Sequence, residues 1–125
     1  MELILKGIRG AVCTENNAQD ITKNVCAMCN EIFEKNHIKA ENIVSVLFSM
    51  TQDLDAMNAA AALRKGSVCI DTSSLALFTA QEAFIKGAMP KLVRVLVIAY
   101  IDKEQNPYHV YLNGAEALRP GFANK

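Results

Sequence analysis

The chain has 125 residues, and its thirteen basic side chains balance thirteen acidic ones for a formal net charge of zero. That balance gives no reason to expect nucleic acid or an anionic membrane surface as partner. No apolar run reaches the ~18 residues that span a bilayer, and Met1-Glu2-Leu3-Ile4-Leu5-Lys6 is charged too early for a secretory signal. With 51% apolar residues, the length fits one domain over residues 1–125 with its own core, expected to be cytoplasmic.

Leu3 to Cys13 alternates as a strand, interrupted by Gly7 and Gly10, which would let another backbone or a ligand come close. Asn16-Asn17 offers an N-cap, and Ile21, Val25, Cys29, Ile32 and Phe33 mark the apolar stripe of a helix to about Asn36. Ile43 to Met50 reads as a second strand. Asp53 or Asp55 is expected to cap a short alanine-rich helix that ends at Arg64 and Lys65, with Gly66 as its stop. Val68 to Ile70 and Leu75 to Phe78 read as short strands, and Thr79 to Lys86 as a helical turn. Leu92 to Ile101 is a strand rich in β-branched residues with a single charge, Arg94. A turn over Asp102 to Pro107 leads to a last strand, Tyr108 to Leu112. The sum is an α+β domain with two helices over a mixed sheet of about five strands. The Arg94 strand is apolar on both faces, so a partner subunit is expected to cover one of them.

The four cysteines suit a reducing compartment. Cys26 and Cys29 form a lone CxxC inside a helical pattern, which favours small core residues over a metal or redox pair. His37 and His109 are isolated and offer no metal spacing, so neither a metal nor a cofactor is expected.

The arginines carry more information. There are four of them against nine lysines, and the lysines mostly sit in polar surroundings. Arg9 stands between glycines in Gly7-Ile8-Arg9-Gly10, Arg64 ends an alanine run, Arg94 interrupts the apolar strand, and Arg119 precedes Pro120-Gly121. A guanidinium cannot lose its proton and is costly to desolvate unpaired, so Arg94 requires an anion. That anion is either a protein carboxylate, with Glu82 the candidate, or one brought by a ligand. Arginine reserved for such positions favours bidentate recognition of an anion.

In order and spacing, Gly7-Ile8-Arg9-Gly10-Ala11, Glu34-Lys35-Asn36-His37, Thr51-Gln52-Asp53-Leu54, Ala62-Leu63-Arg64, Gln81-Glu82, Val93-Arg94-Val95, His109-Val110-Tyr111-Leu112 and Leu118-Arg119-Pro120 resemble the AroH-class chorismate mutases. The resemblance implies a homotrimer packed as a pseudo-α/β barrel, with active sites between subunits. It implies conversion of chorismate to prephenate by a [3,3] sigmatropic rearrangement in aromatic amino-acid biosynthesis. Such a step needs no nucleophile, metal or proton shuttle. It needs a dicarboxylate held in a chair-like conformer and charge stabilisation at the breaking ether bond.

Carried over by resemblance, Arg94 donates to the ether oxygen and binds a carboxylate. Arg9 and Tyr111 hold the side-chain carboxylate, and Glu82 accepts from the C4 hydroxyl. Thr79 reaches the same hydroxyl, Arg64 and Arg119 lie at the mouth and the mobile 119–125 tail, and Leu118 matches a substrate-pocket position. The stretch from Ser67 to Phe78 is longer than the family spacing and carries no contacts over. Asn58 stands where an aromatic is frequent and Ala61 where a lysine is, which makes the wall more polar and less cationic. A RidA-like imine deaminase and a non-catalytic carboxylate-binding trimer are the alternatives.

Overall fold

The computed structural model describes residues 1–119; beyond Arg119, the expected 119–125 tail lies outside the described residues. Strands β1 (Leu3–Cys13), β2 (Ile43–Met50), β3 (Leu77–Gln81), β4 (Leu92–Asp102) and β5 (Val110–Leu112) form one sheet in the order β3-β2-β4-β1-β5. Strands β1 and β2 run antiparallel to β4, while β3 and β5 add parallel edges to β2 and β1. Helices α1 (Ala18–Lys35) and α2 (Ala59–Lys65) pack against the sheet. This is the α+β arrangement that the alternation of apolar residues leads one to expect.

Helix α1 begins where its sequence says it should. The Asn17 side chain accepts from the Asp20 N–H at 2.8 Å, and Ile21, Val25, Met28, Cys29, Ile32 and Phe33 are buried along one stripe. At its far end the buried Asn36 donates to the carbonyls of Ile32 and Tyr108, each at 2.9 Å, and accepts from Tyr108 N–H at 2.8 Å. One amide side chain thus satisfies the helix end and ties it to the segment entering β5.

Three local expectations need correction. Helix α2 is capped by Asn58, not by Asp53 or Asp55: Asn58 Oδ1 accepts from Ala60 N at 2.9 Å. Asp53 instead accepts from the Lys91 N–H, and Asp55 is bonded to Asn16, so both carboxylates serve loops. Val68 to Ile70 is not a strand; Val68, Ile70 and Leu75 lie partly buried against the core. Thr79 to Lys86 is not a helical turn, because β3 continues to Gln81 and Glu82 N–H still bonds Met50 O at 2.7 Å. For the last of these, sheet hydrogen bonding decided what local propensity left open.

Burial separates the two faces of β4 within a single chain. On β4, Val93, Val95, Val97, Ala99 and Ile101 are buried against the helices, while the alternate residues face the other way. That second face is open in the single chain: Arg94 is 47% exposed, and Leu5, Leu47, Phe78, Leu96 and Tyr100 are exposed beside it. Within a single chain, Arg94 is therefore only partly covered. It rises from an uncovered apolar sheet face.

Gly10 shows how closely the covered face is packed. A Cβ there would meet Ile32 Cδ1 and Val95 Cγ1 at 2.9 Å and Met28 Cγ at 3.2 Å. The close approach expected at this glycine is thus made by helix α1. Gly10→Ala is expected to lower stability by about 1–3 kcal/mol through overpacking, read as a fall in Tm.

At the other edge, His109 Nδ1 accepts from the Arg9 N–H at 2.9 Å and docks the start of β5 on β1. Desolvation, then the positive charges of Arg9 and Arg119, push the His109 pKa below its usual 6.5. The folded state therefore binds this proton less readily than the unfolded chain, so stability present above pH ~6.5 is lost as pH falls. His109→Asn keeps an acceptor but cannot titrate. Melting curves from pH 8 to pH 5 are expected to show a smaller decline in Tm for this variant than for the wild type.

Candidate active site

The register of β4 with its neighbours builds the site. Arg94 pairs with Ala11 of β1 on one side and with Ser49 of β2 on the other. Arg9 sits opposite Leu96, two residues along β4, and Tyr111 of β5 pairs with Ala11. Because residues of one parity share a face, Arg9, Ser49, Arg94 and Tyr111 all come to the open side. A short 3-10 turn, Ala115–Leu118, folds back over the β1–β5 edge and delivers Arg119 to the same place.

These groups surround a cleft of about 330 Å³, floored by Gly10, Ala11, Phe48 and Val95 and walled by Leu47 and Leu96. Arg9, Arg94 and Arg119 contribute three guanidinium groups, and no carboxylate lines the cleft among the described residues. An electropositive, partly apolar cleft of this size suits a small organic dianion. Tyr111 is nearly buried, packed with Ala11, Leu92 and Ala115, yet it still borders the cleft. Leu118 packs half-buried on the same cluster and does not line the cleft.

Glu82 stands on the other side of Arg94. Its Oε1 lies 3.4 Å from Arg94 Nε and accepts a short hydrogen bond from the Ser49 hydroxyl. A second cleft of about 290 Å³ opens there, bordered by Glu82, Arg94, Phe84, Ile85 and Met89. Of the two anions that the sequence leaves open for Arg94, the single chain shows Glu82. With Arg94 47% exposed, an ion pair at 3.4 Å contributes only about 0–1 kcal/mol to stability. Structural pairing alone therefore gives a weak reason for an arginine at this point of the strand.

Two residues picked from the sequence lie elsewhere. Arg64 is exposed on the last turn of α2, away from the arginine cleft. Thr79 Oγ1 accepts from Ala60 N at 3.1 Å and donates to Asn58 Oδ1 at 3.0 Å, so it completes the α2 cap. Asn58 shares this cap, and Ala61 follows within it. In a single chain, then, the α2–β3 edge and the arginine cleft do not meet.

Ser49 is the residue that the sequence reading missed. It lies in a strand with another serine, Ser45, and nothing local distinguishes the two. Only the register of β2 with β4 sets Ser49, and not Ser45, beside Arg94.

The cysteines contribute no chemistry to the cleft. Cys26 and Cys29 are buried on α1 with thiol pKa values pushed up, chiefly by desolvation, which disfavours the reactive thiolate. All four cysteines are free.

Comparison with known proteins places this geometry in a family. The family model "Chorismate mutase type I" matches residues 5–122. The chain is similar to chorismate mutase AroH of Bacillus subtilis (strain 168), with 32% identity over 123 residues, covering 97% of this chain and 94% of that protein. It is equally similar to chorismate mutase AroH of Thermus thermophilus, 32% identical over 120 residues that span 94% and 95% of the two. Among solved structures, a chorismate mutase from Clostridium thermocellum superposes with a TM-score of 0.77 at 31% identity, over 90% of this chain and 98% of that one. A chain matched over nearly its whole length, with the same fold and an arginine-lined cleft, belongs to the type I chorismate mutase family.

Proposed function

We propose that the arginine cleft is where this chain converts chorismate to prephenate. The family is one of isomerases, and the carrying observation is that Arg9, Arg94 and Arg119, far apart in sequence, converge on one cleft without a lining carboxylate among the described residues. The reaction breaks an ether C–O bond and forms a C–C bond in one cyclic shift of electrons. No proton moves, so the protein's work is to hold the reactive conformer and to stabilise negative charge as it grows on the ether oxygen. The deaminase alternative has no supporting observation left once the family is assigned.

Within this reading the roles implied by the family likeness fall on groups in the right surroundings. Arg94 stands at the centre, where one guanidinium can face both the ether oxygen and a carboxylate. A donor that strengthens only as charge develops lowers the barrier and does not merely tighten binding. Arg9 and Tyr111 border the same cleft and would hold the side-chain carboxylate. Arg119 would close on the dianion from the 3-10 turn, with Leu118 packed behind it. Glu82, already against Arg94, would accept from the C4 hydroxyl.

Arg64 and Thr79 require a second copy of the chain. They sit at the α2–β3 edge, so they could reach the cleft only from a neighbouring subunit. The open sheet face, with Leu5, Leu47, Phe78, Leu96 and Tyr100 exposed, supports the same assembly, since monomers rarely leave so continuous an apolar face in water. We therefore propose a homotrimer with sites between subunits. Its barrel-like packing and cytoplasmic location belong to the same reading; no helix of the described residues is long and apolar enough to cross a membrane. Light scattering is expected to give three times the 13.7 kDa chain mass, and a monomer would remove Arg64 and Thr79 from the site.

Activity is tested by following chorismate loss and prephenate formation, read as phenylpyruvate after acid treatment. The wild type is expected to turn chorismate over. Arg94→Ala is expected to stay folded and lose about 100- to 1,000-fold in kcat, the cost of one lost transition-state donor (~2.7–4 kcal/mol). Arg94→Lys is expected to lose most activity too, because one ammonium cannot reproduce the planar fork. A folded wild-type oligomer that binds prephenate without turnover would point to the non-catalytic carboxylate-binding reading.

A further inference from the structure

We propose that Ser49 is a positioning residue for the rearrangement: its hydroxyl holds Glu82 Oε1 against Arg94 Nε and thereby sets the guanidinium in the cleft. This rests on the chorismate mutase reading of the same cleft. Ser49 and Arg94 are paired residues on β2 and β4 and point to the same open face. Glu82 arrives from the end of β3, where its N–H is fixed to Met50 O at 2.7 Å. Its side chain then meets both the Ser49 hydroxyl and Arg94 Nε through one oxygen, Oε1.

That shared oxygen gives the arrangement its direction. A half-exposed ion pair alone would not restrict two long side chains to one geometry, since solvent competes for both partners. The hydroxyl comes from a position on β2 fixed by backbone pairing on both sides, to Ala80 of β3 and to Arg94 of β4. It adds a short, charge-assisted bond that selects one carboxylate rotamer. With Oε1 so occupied, Oε2 remains for a substrate hydroxyl. Glu82 is 28% exposed, so the carboxylate is open enough to be reached and covered enough for its orientation to matter. Ser49 also lines the arginine cleft itself. Its contribution should be felt mainly when charge develops at the ether oxygen, because a displaced Arg94 still attracts a dianion but no longer meets the transition state squarely.

The test is steady-state kinetics of the full chain with chorismate for Ser49→Ala and Ser49→Thr beside the wild type. Ser49→Ala is expected to lose about tenfold in kcat with KM changed less than about threefold, while Ser49→Thr, which keeps the hydroxyl on a strand-favouring residue, restores most of the loss. If Ser49→Ala fails to fold, Ser49→Val replaces it. Threonine and valine then differ at this position by hydroxyl against methyl, and the same kcat gap is expected between them. Unchanged kcat on loss of the hydroxyl overturns the proposal. So does a rise in KM alone, which would make Ser49 a direct binding group. Absence of turnover in the wild type is a separate result and overturns the proposed function itself.

Discussion

The pairing of β4 on both of its edges is the constraint on which the rest depends. A central strand hydrogen-bonded to β1 and β2 has no freedom of register, because a slip of one residue would turn Val93, Val95 and Val97 out of the core. Fixing those valines under the helices also fixes the opposite parity, and with it the position of Arg94. The guanidinium is thus placed by hydrophobic burial on the far side of the same strand. The neighbours that the register assigns to it, Ser49 and Ala11, are the groups from which the cleft is assembled.

The two faces of the sheet divide the work. The covered face, with Gly10 admitting Ile32 and Met28 of α1, gives stability through close packing. The open face carries the arginines, with Arg94 exposed and Arg9 and Arg119 partly buried beside it. A cluster of like charges is unfavourable only to the extent that nothing offsets it. Glu82 offsets part of it at Arg94, and the lowered His109 pKa disfavours a further positive charge beside Arg9 and Arg119.

Strand-end chemistry ties the same cleft to the edges of the sheet. Glu82 belongs to no regular element, yet its backbone bond to Met50 makes it a continuation of β3 beside β2. Thr79, three residues earlier, is turned toward α2 and used as part of its cap. The alternation of a single short strand therefore sends one candidate residue to the helix side and leaves the other at the arginine. Within one chain the two cannot serve the same ligand, which is why the proposed site draws Arg64 and Thr79 from a neighbour.

Strands β1, β2 and β4 and helix α1 were legible in the sequence, because their apolar periodicity is long and matches their burial. The reserved use of arginine, and the likeness carried by the motifs around it, also stood in the sequence and led to the family. Short-range signals served less well. Asp53 and Asp55 were as good cap residues as Asn58 until loop contacts claimed them, and the Thr79 to Lys86 stretch had helical propensity until sheet bonds to β2 took it. The sequence by itself determined which segments fold and that anion recognition was at stake, since both follow from local composition and period. The tertiary structure alone decided that Arg94 stands half-exposed on an open face, that Ser49 is beside it, and that Glu82, one of the anions the sequence left open, is paired with it. Those facts depend on strand register and face, which only pairing between distant segments can set.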